Sequence, residues 1–144
     1  MASQSKLDEV YLKMSEVWAS LSKAKRKQVG CLIVKDIISD GFNGTPKGFD
    51  NECEYNPNPS LHHKLITKPE VLHAESNAIT KLAKSTQSSS GSTMYITISP
   101  CLDCAKLIIQ ADIKRVVFKN FYKNSEGIDL LKQANIEVVN YESR

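Results

Sequence analysis

The chain has 144 residues, 41% of them hydrophobic and 24% charged, with a formal net charge of +3. A chain of this length fits one domain, residues 1–144, that buries about two-thirds of its unfolded surface. No apolar run is near the roughly 18 residues of a membrane span, and the charge is too small to indicate a nucleic-acid-binding surface.

The predicted elements begin with an amphipathic N-terminal helix. Its apolar residues recur at helical spacing and are expected to form one packed face: Leu7, Val10, Tyr11, Met14, Val17, Trp18 and Leu21. After a basic connector at 23–28, the apolar run 29–34 predicts a buried strand. A tight turn at Lys35-Asp36 makes 37–42 its hairpin partner.

Residues 43–71 contain four of the five prolines and little periodicity. A loop of that length inside a compact domain is usually functional. Helices are then predicted at 73–84, 102–111 and 127–133, alternating with strands at 93–98, 115–119 and 136–140. This alternation predicts a parallel arrangement with helices on both faces of the sheet.

Two short motifs carry the chemistry, His73-Ala74-Glu75 and Pro100-Cys101-Leu102-Asp103-Cys104. Cys101 and Cys104 are spaced to share one face of a helix, and thiolates at a helix N-terminus are favoured by its dipole. With His73 they supply three zinc ligands, which leave a fourth position for water as in catalytic sites. Glu75 is no zinc ligand and is placed to move protons.

A lone C-x-x-C is also compatible with a redox pair or with half of a zinc ribbon. A ribbon needs a second such pair, which Cys31 and Cys53 do not make. The complete H-x-E…P-C-x-x-C pattern is the signature of zinc-dependent nucleobase deaminases. With two of the four cysteines assigned to metal, the composition favours a reducing, cytoplasmic location over a disulfide scaffold.

Four longer sequence blocks point to a particular family of deaminases. They are Gln28-Val29-Gly30, the run from Gly41 to Gly48, the run from His73 to Ile79, and the run from Met94 to Lys106. With these blocks the chain resembles the deoxycytidylate deaminase family. The resemblance implies an α/β, three-layer α/β/α cytidine-deaminase-like fold with a five-stranded mixed sheet in strand order 2-1-3-4-5.

The resemblance also implies hydrolytic deamination of dCMP to dUMP and ammonia, which supplies dUMP for thymidylate synthesis. Bound Zn²⁺ would activate a water, and Glu75 would carry a proton from that water to ring N3 and next protonate the amino group, which leaves as ammonia. The residues expected to bind substrate are Asn43 at the sugar, Ala74 through its N–H, Ser99 through its carbonyl, Thr97 and Tyr122. Candidate phosphate donors are Arg26, Arg115 and Lys123.

Regulation and assembly follow from the same resemblance. The family is activated by dCTP, inhibited by dTTP, and forms homo-oligomers, commonly hexamers. The effector loop is expected to comprise Gly44, Thr45, Lys47, Gly48 and Phe49, and a triphosphate effector would bring Mg²⁺ with it. Neither a nucleic acid nor a membrane is an expected partner.

Three alternatives remain open from the sequence. A tRNA adenosine or free-base deaminase would use the same zinc chemistry, although its nucleic-acid form calls for a clustered basic surface. A non-catalytic zinc module is a further alternative, which Glu75 disfavours. Cys53, His62 and His63 either form a second metal site or are unliganded loop residues.

Overall fold

The computed structural model describes residues 2–61 and 64–141. The strands are β1 (Gly30–Val34), β2 (Ile37–Phe42), β3 (Glu54–Tyr55), β4 (Ile66–Thr67), β5 (Thr93–Ile98), β6 (Arg115–Asn120) and β7 (Glu137–Asn140). Five of them form one mixed sheet in the order β2-β1-β5-β6-β7, while β3 and β4 form a separate ribbon. Without the ribbon strands, this is the predicted order 2-1-3-4-5.

Strand directions also agree with the prediction. β1 is antiparallel to both β2 and β5, and β5, β6 and β7 run parallel. The carboxyl ends of these parallel strands therefore lie along one edge of the sheet, which is where ligands bind in open α/β sheets.

Four α-helices cover the sheet: α1 (Gln4–Ala19), α2 (Ala74–Leu82), α3 (Leu102–Gln110) and α4 (Glu126–Gln133). Residues of α2, α3 and α4 share one apolar cluster with the sheet, represented by Ala78, Ile108 and Leu131. On the opposite face Leu12 of α1 packs with Tyr95 and other sheet residues. The predicted three-layer α/β/α architecture is confirmed.

The predicted packed face of α1 is only partly correct: Tyr11 packs against the sheet, but four of the seven predicted residues are exposed. The side chains that face the sheet are small or polar for the most part: Asp8, Leu12, Ser15 and Ala19. Val17 is instead 70% exposed, and three others of the predicted face are also exposed: Val10, Met14 and Leu21. A Cβ added at Gly30 would lie 2.0 Å from the Ser15 carbonyl oxygen, so the α1 backbone approaches β1 too closely for large side chains between them.

A buried ion pair fixes α1 to the sheet. Asp8 is fully buried, and its carboxylate accepts hydrogen bonds from the Tyr95 hydroxyl at 2.6 Å and from two Arg115 nitrogens at 2.9 and 2.7 Å. Arg115 Nε also donates to Glu137 at 2.7 Å. Burial alone would raise the pKa of Asp8, but the hydrogen bonds from Arg115, Tyr95 and Gln4 lower it to about 2.

The long loop contains structure that the sequence did not predict. Besides the ribbon it forms a short 3₁₀ helix, Pro59–Leu61. Glu54 of β3 accepts hydrogen bonds from the backbone N–H groups of Lys25 and Arg26, both at 2.9 Å. The ribbon therefore holds the basic connector in place.

No helix within residues 2–61 and 64–141 is both long and apolar enough to cross a bilayer.

Candidate metal centre and adjoining cavity

Two helix starts carry the predicted metal ligands. His73 is the N-cap of α2 and Cys101 the N-cap of α3; both have extended backbones, with φ −76° and ψ 159° or 172°, and neither side chain caps its own helix. Cys104 lies within the first turn of α3, as its i, i+3 relation to Cys101 predicts. The three side chains are therefore presented by the positive ends of two helices, which favour thiolates.

The three ligand atoms lie at distances that suit zinc. His73 Nδ1 is 3.3 Å from Cys104 Sγ and 3.6 Å from Cys101 Sγ. A tetrahedral zinc with Zn–S of about 2.3 Å and Zn–N of about 2.0–2.1 Å separates its nitrogen and sulfur ligands by about 3.6 Å. Within the described part of the chain, this is the one His/Cys/Asp/Glu group that could hold a metal ion. The donor set and the spacing both fit Zn²⁺.

The cluster also favours a thiolate. Hydrogen bonds from Cys104 and from His73 lower the pKa of Cys101 to about 4. The pKa of Cys104 is raised, first by its hydrogen bond to Cys101 and then by burial. Two adjacent thiolates repel each other, and a bound cation would remove that repulsion.

Glu75 lies beside the cluster but is not one of the three ligands. Glu75 is buried, with 4% of its surface exposed. Burial raises the pKa of Glu75 to about 7, although a hydrogen bond from its own backbone N–H and the charge of His73 oppose the rise. A carboxyl group with a pKa near neutrality can both accept and release a proton at working pH.

A cavity of about 320 Å³ opens onto this centre. That volume is at the lower end of the range of small-molecule sites. Most of the predicted substrate residues line it together with His73, Glu75 and Cys101: Arg26, Asn43, Ala74, Ser99, Tyr122 and Lys123. The structure thus brings residues from five separate segments of the chain to one place.

Two predicted substrate residues do not line this cavity. The Thr97 hydroxyl accepts a hydrogen bond from the Gly30 N–H at 3.3 Å. Arg115 begins β6, at the opposite end of that strand from the cavity, and its guanidinium is held by Asp8. Both side chains are bonded within the fold and outside the cavity lining, so their assignment as substrate contacts stays a prediction that this structure does not support.

The predicted effector loop, residues 44–49, also lies outside the cavity lining. Phe49 is 58% exposed, and Gly48 has a positive φ of 91°. Gly44 exchanges two backbone hydrogen bonds with Leu72, at 3.0 and 2.8 Å. Because Leu72 precedes His73, the loop is linked directly to the first metal ligand.

Lys27 is a cavity residue that sequence reasoning missed. Its Nζ lies 4.1 Å from the centroid of the Tyr122 ring, and Lys123 Nζ lies 5.6 Å from the same centroid. Asn43 fixes the connector, since its amide donates to the Lys27 carbonyl at 2.7 Å and accepts from the Val29 N–H at 2.8 Å. The basic composition of residues 23–28 was visible, but no spacing rule says which cation faces a cavity.

The two alternatives for Cys53, His62 and His63, a second metal site or unliganded loop residues, both stay open. Cys53 is buried and lines the cavity, whereas His62 and His63 lie outside the described residues.

Known proteins with similar sequences and structures include deoxycytidylate deaminases. The deoxycytidylate deaminase of Enterobacteria phage T4 is 36% identical and matches 83% of this chain and 81% of its own length. The human deoxycytidylate deaminase is 40% identical and matches 76% of this chain, which spans only 62% of that relative's length. The crystal structure of dCMP deaminase from cyanophage S-TIM5, in complex with dCMP and dUMP, superposes with a TM-score of 0.88 at 42% identity, covering 96% of this chain and 99% of that one.

The family comparison covers both halves of the metal centre. Residues 5–120 match the family described as "Cytidine and deoxycytidylate deaminase zinc-binding region". That span includes His73, Glu75, Cys101 and Cys104, whose arrangement fits catalytic zinc. The chain therefore belongs to the cytidine and deoxycytidylate deaminase family.

Proposed function

We propose that this chain is a deoxycytidylate deaminase that hydrolyses dCMP to dUMP and ammonia. One observation carries the proposal: the buried Glu75 lines a single cavity together with His73 and Cys101 of the His/Cys/Cys cluster. The dCMP- and dUMP-bound S-TIM5 enzyme, similar over nearly the whole chain, supports the choice of substrate. Residues 1–144 are proposed to act as one domain, in the cytoplasm, whose reducing conditions keep ligand thiols free.

His73, Cys101 and Cys104 would hold Zn²⁺, which supplies the Lewis acidity that activates a water at neutral pH. Glu75 accepts a proton from the attacking water and delivers it to ring N3. The oxygen of that water adds to C4, and Glu75 then takes the remaining proton from the C4 hydroxyl and passes it to the amino group. The C4–N bond breaks, ammonia leaves, and the C4 carbonyl of dUMP forms. A pKa near 7 at Glu75 suits both transfers.

The walls of the cavity supply the other contacts. We place the pyrimidine carbonyl at the Ala74 N–H, the amino group near the Ser99 carbonyl, and the sugar at Asn43. Arg26, Lys27 and Lys123 line the same cavity, so they are the proposed donors to the monophosphate. Lys27 and Lys123 flank Tyr122, an arrangement that places two cations at one side of the opening.

Ammonia release should be measured with dCMP, deoxycytidine, cytidine and a tRNA anticodon stem. Each charge-assisted hydrogen bond that deoxycytidine lacks is worth roughly 1.5–3 kcal/mol, so kcat/KM should favour dCMP by at least about tenfold. Lys27→Gln should lower this preference by raising KM for dCMP. Lys25→Gln on the same connector serves as the control. Equal kcat/KM for dCMP and deoxycytidine, or faster release from the tRNA stem, would refute the proposed substrate.

We further propose regulation through residues 44–49, with dCTP as activator and dTTP as inhibitor. The backbone pairing of Gly44 with Leu72 supports a link from this loop to His73. Lys47 is the proposed phosphate partner, and Mg²⁺ would enter only with the triphosphate. The test is the rate against dCMP concentration with each triphosphate present; purely competitive effects of both would remove this proposal and leave the deaminase assignment unchanged.

Assembly into a homo-oligomer, as a hexamer, is proposed as well. The outer side of α1 supports it, because Leu7, Val10, Met14 and Val17 follow alternating spacings of three and four residues. This is the spacing by which helices from separate chains pack against each other. Lys6, Glu9, Lys13 and Glu16 flank the stripe with alternating charge, so a second copy running antiparallel can bring opposite charges together.

A further inference from the structure

The start of α4 packs directly against the loop that carries Cys101. A Cβ built at Gly127 would lie 2.2 Å from the Pro100 carbonyl oxygen and 2.8 Å from the carbonyl carbon and oxygen of Cys101. All of these are backbone atoms, so no side-chain rotation can relieve the clash. Any larger residue at 127 must move either α4 or the Cys101 loop.

A second glycine contacts the other half of the metal centre in the same way. A Cβ at Gly41 would lie 2.4 Å from the Ala74 carbonyl oxygen and 2.7 Å from the Ala78 N. Ala74 stands between His73 and Glu75, so β2 supports the first turn of α2 through this contact. Neither glycine has a positive φ, so each is required for space and not for backbone conformation.

We propose that Gly41 and Gly127 are positioning residues for the metal centre. Gly41 lets β2 hold the α2 start that presents His73 and Glu75, and Gly127 lets α4 hold the loop that presents Cys101. Neither residue touches substrate or metal. The inference rests on the His73, Cys101 and Cys104 cluster and does not depend on dCMP being the substrate.

The test compares three substitutions of one kind: Gly41→Ala, Gly127→Ala and Gly30→Ala. Gly30 is the matched control, because its added Cβ would lie 2.0 Å from the Ser15 carbonyl oxygen of α1, a helix with no metal ligand. Zinc-loaded protein is mixed with a chromogenic chelator, and the rate of zinc release is followed under conditions where all variants stay folded.

Groups that orient metal ligands typically change metal affinity by about 10- to 100-fold when altered. We therefore expect zinc release to accelerate about 10- to 100-fold in Gly41→Ala and Gly127→Ala. Gly30→Ala should lower the thermal midpoint of the protein but leave zinc release within about twofold of wild type. Equal acceleration in all three variants, or none in folded Gly41→Ala and Gly127→Ala, would overturn the inference.

Cobalt substitution supplies a spectroscopic measurement that loss of packing alone does not change. The visible bands of Co²⁺ bound to two thiolates depend on ligand geometry, so they should shift in the Gly41 and Gly127 variants and stay unchanged in Gly30→Ala. If Gly127→Ala does not fold, Ile128→Val loosens α4 by one methyl group and should still speed zinc release. Ile113→Val, beyond the far end of α3, is its control, and equal release rates for these two would contradict the role of α4.

Discussion

Among the described residues Glu75 forms no salt bridge, yet it is almost completely buried. A carboxylate in such a place is costly unless it is protonated or faces a cation. Burial is the largest cause of its raised pKa, and the adjacent cluster supplies the site for a cation. Burying Glu75 therefore lowers the stability of the folded chain, which is typical of titratable residues at functional sites.

Glu75→Gln should lower kcat by about 100- to 10,000-fold, because an amide cannot accept and return the proton. Bound zinc should remain at one per chain, since Glu75 is not a ligand. Turnover and zinc content are measured on the same preparation. Asp103→Asn is the control, a carboxylate whose side chain is 86% exposed beside the same cluster, and it should retain most activity. Near-normal turnover in pure Glu75→Gln would refute the role of Glu75 as proton carrier.

The metal ligands could be predicted from the sequence because their geometry is local. Cys101 and Cys104 are one helical turn apart, and His73 begins a periodic helix. The phosphate donors could not be distinguished from other cations of the chain in this way. Arg115 and Lys27 are both cations near strand ends, and only tertiary structure pairs the first with Asp8 and turns the second toward the cavity.

At the scale of elements, α1 shows why hydrophobic periodicity can select the wrong face. A pattern of apolar spacing predicts which side of a helix avoids water, but not what covers that side. Here close approach at Gly30 selects Ser15 and Ala19 for the sheet side, and the charge of Asp8 is neutralised by Arg115. The more apolar side is left outward.

The Asp8–Arg115 pair should contribute a pH-dependent part of the stability. The pKa of Asp8 falls from 3.8 to about 2 on folding, so its contribution is present above about pH 4 and is lost as pH falls toward 2. Asp8→Asn should lower the free energy of unfolding at pH 7 by about 2–4 kcal/mol. This deficit should shrink between pH 5 and pH 3.

Urea unfolding of wild type and Asp8→Asn at pH 7, 5 and 3 measures this difference. Glu9→Gln is the control, because Glu9 pairs with Lys6 and Lys13 at the surface, where solvent screens the charges, and its loss should leave the free energy of unfolding almost unchanged. A deficit for Asp8→Asn that stays constant across this pH range would contradict a role for the buried charge.

At the scale of the whole molecule, the second half of the chain was the more predictable. From residue 72 helices and strands alternate along the chain. The hydrophobic period of each segment and its place in the α/β fold therefore favour the same secondary structure. The loop 43–71 was not predictable in the same way. Its ribbon strands have two residues each, too few for any period, and they form because Glu54 and Cys53 meet distant backbone groups.

The outer stripe of α1 leads to a prediction for assembly. Val17 is 70% exposed in the single chain, so a charge there should not disturb the fold. If α1 stripes of two copies pack together, Val17→Glu buries an unpaired charge against the apolar stripe of the other copy and should weaken self-association at least about tenfold. Sedimentation velocity across a concentration series measures this, with the thermal midpoint as a check on folding. Val17→Ile keeps the stripe apolar and should sediment as wild type does. Identical sedimentation of wild type and Val17→Glu would place any oligomer interface elsewhere on the molecule.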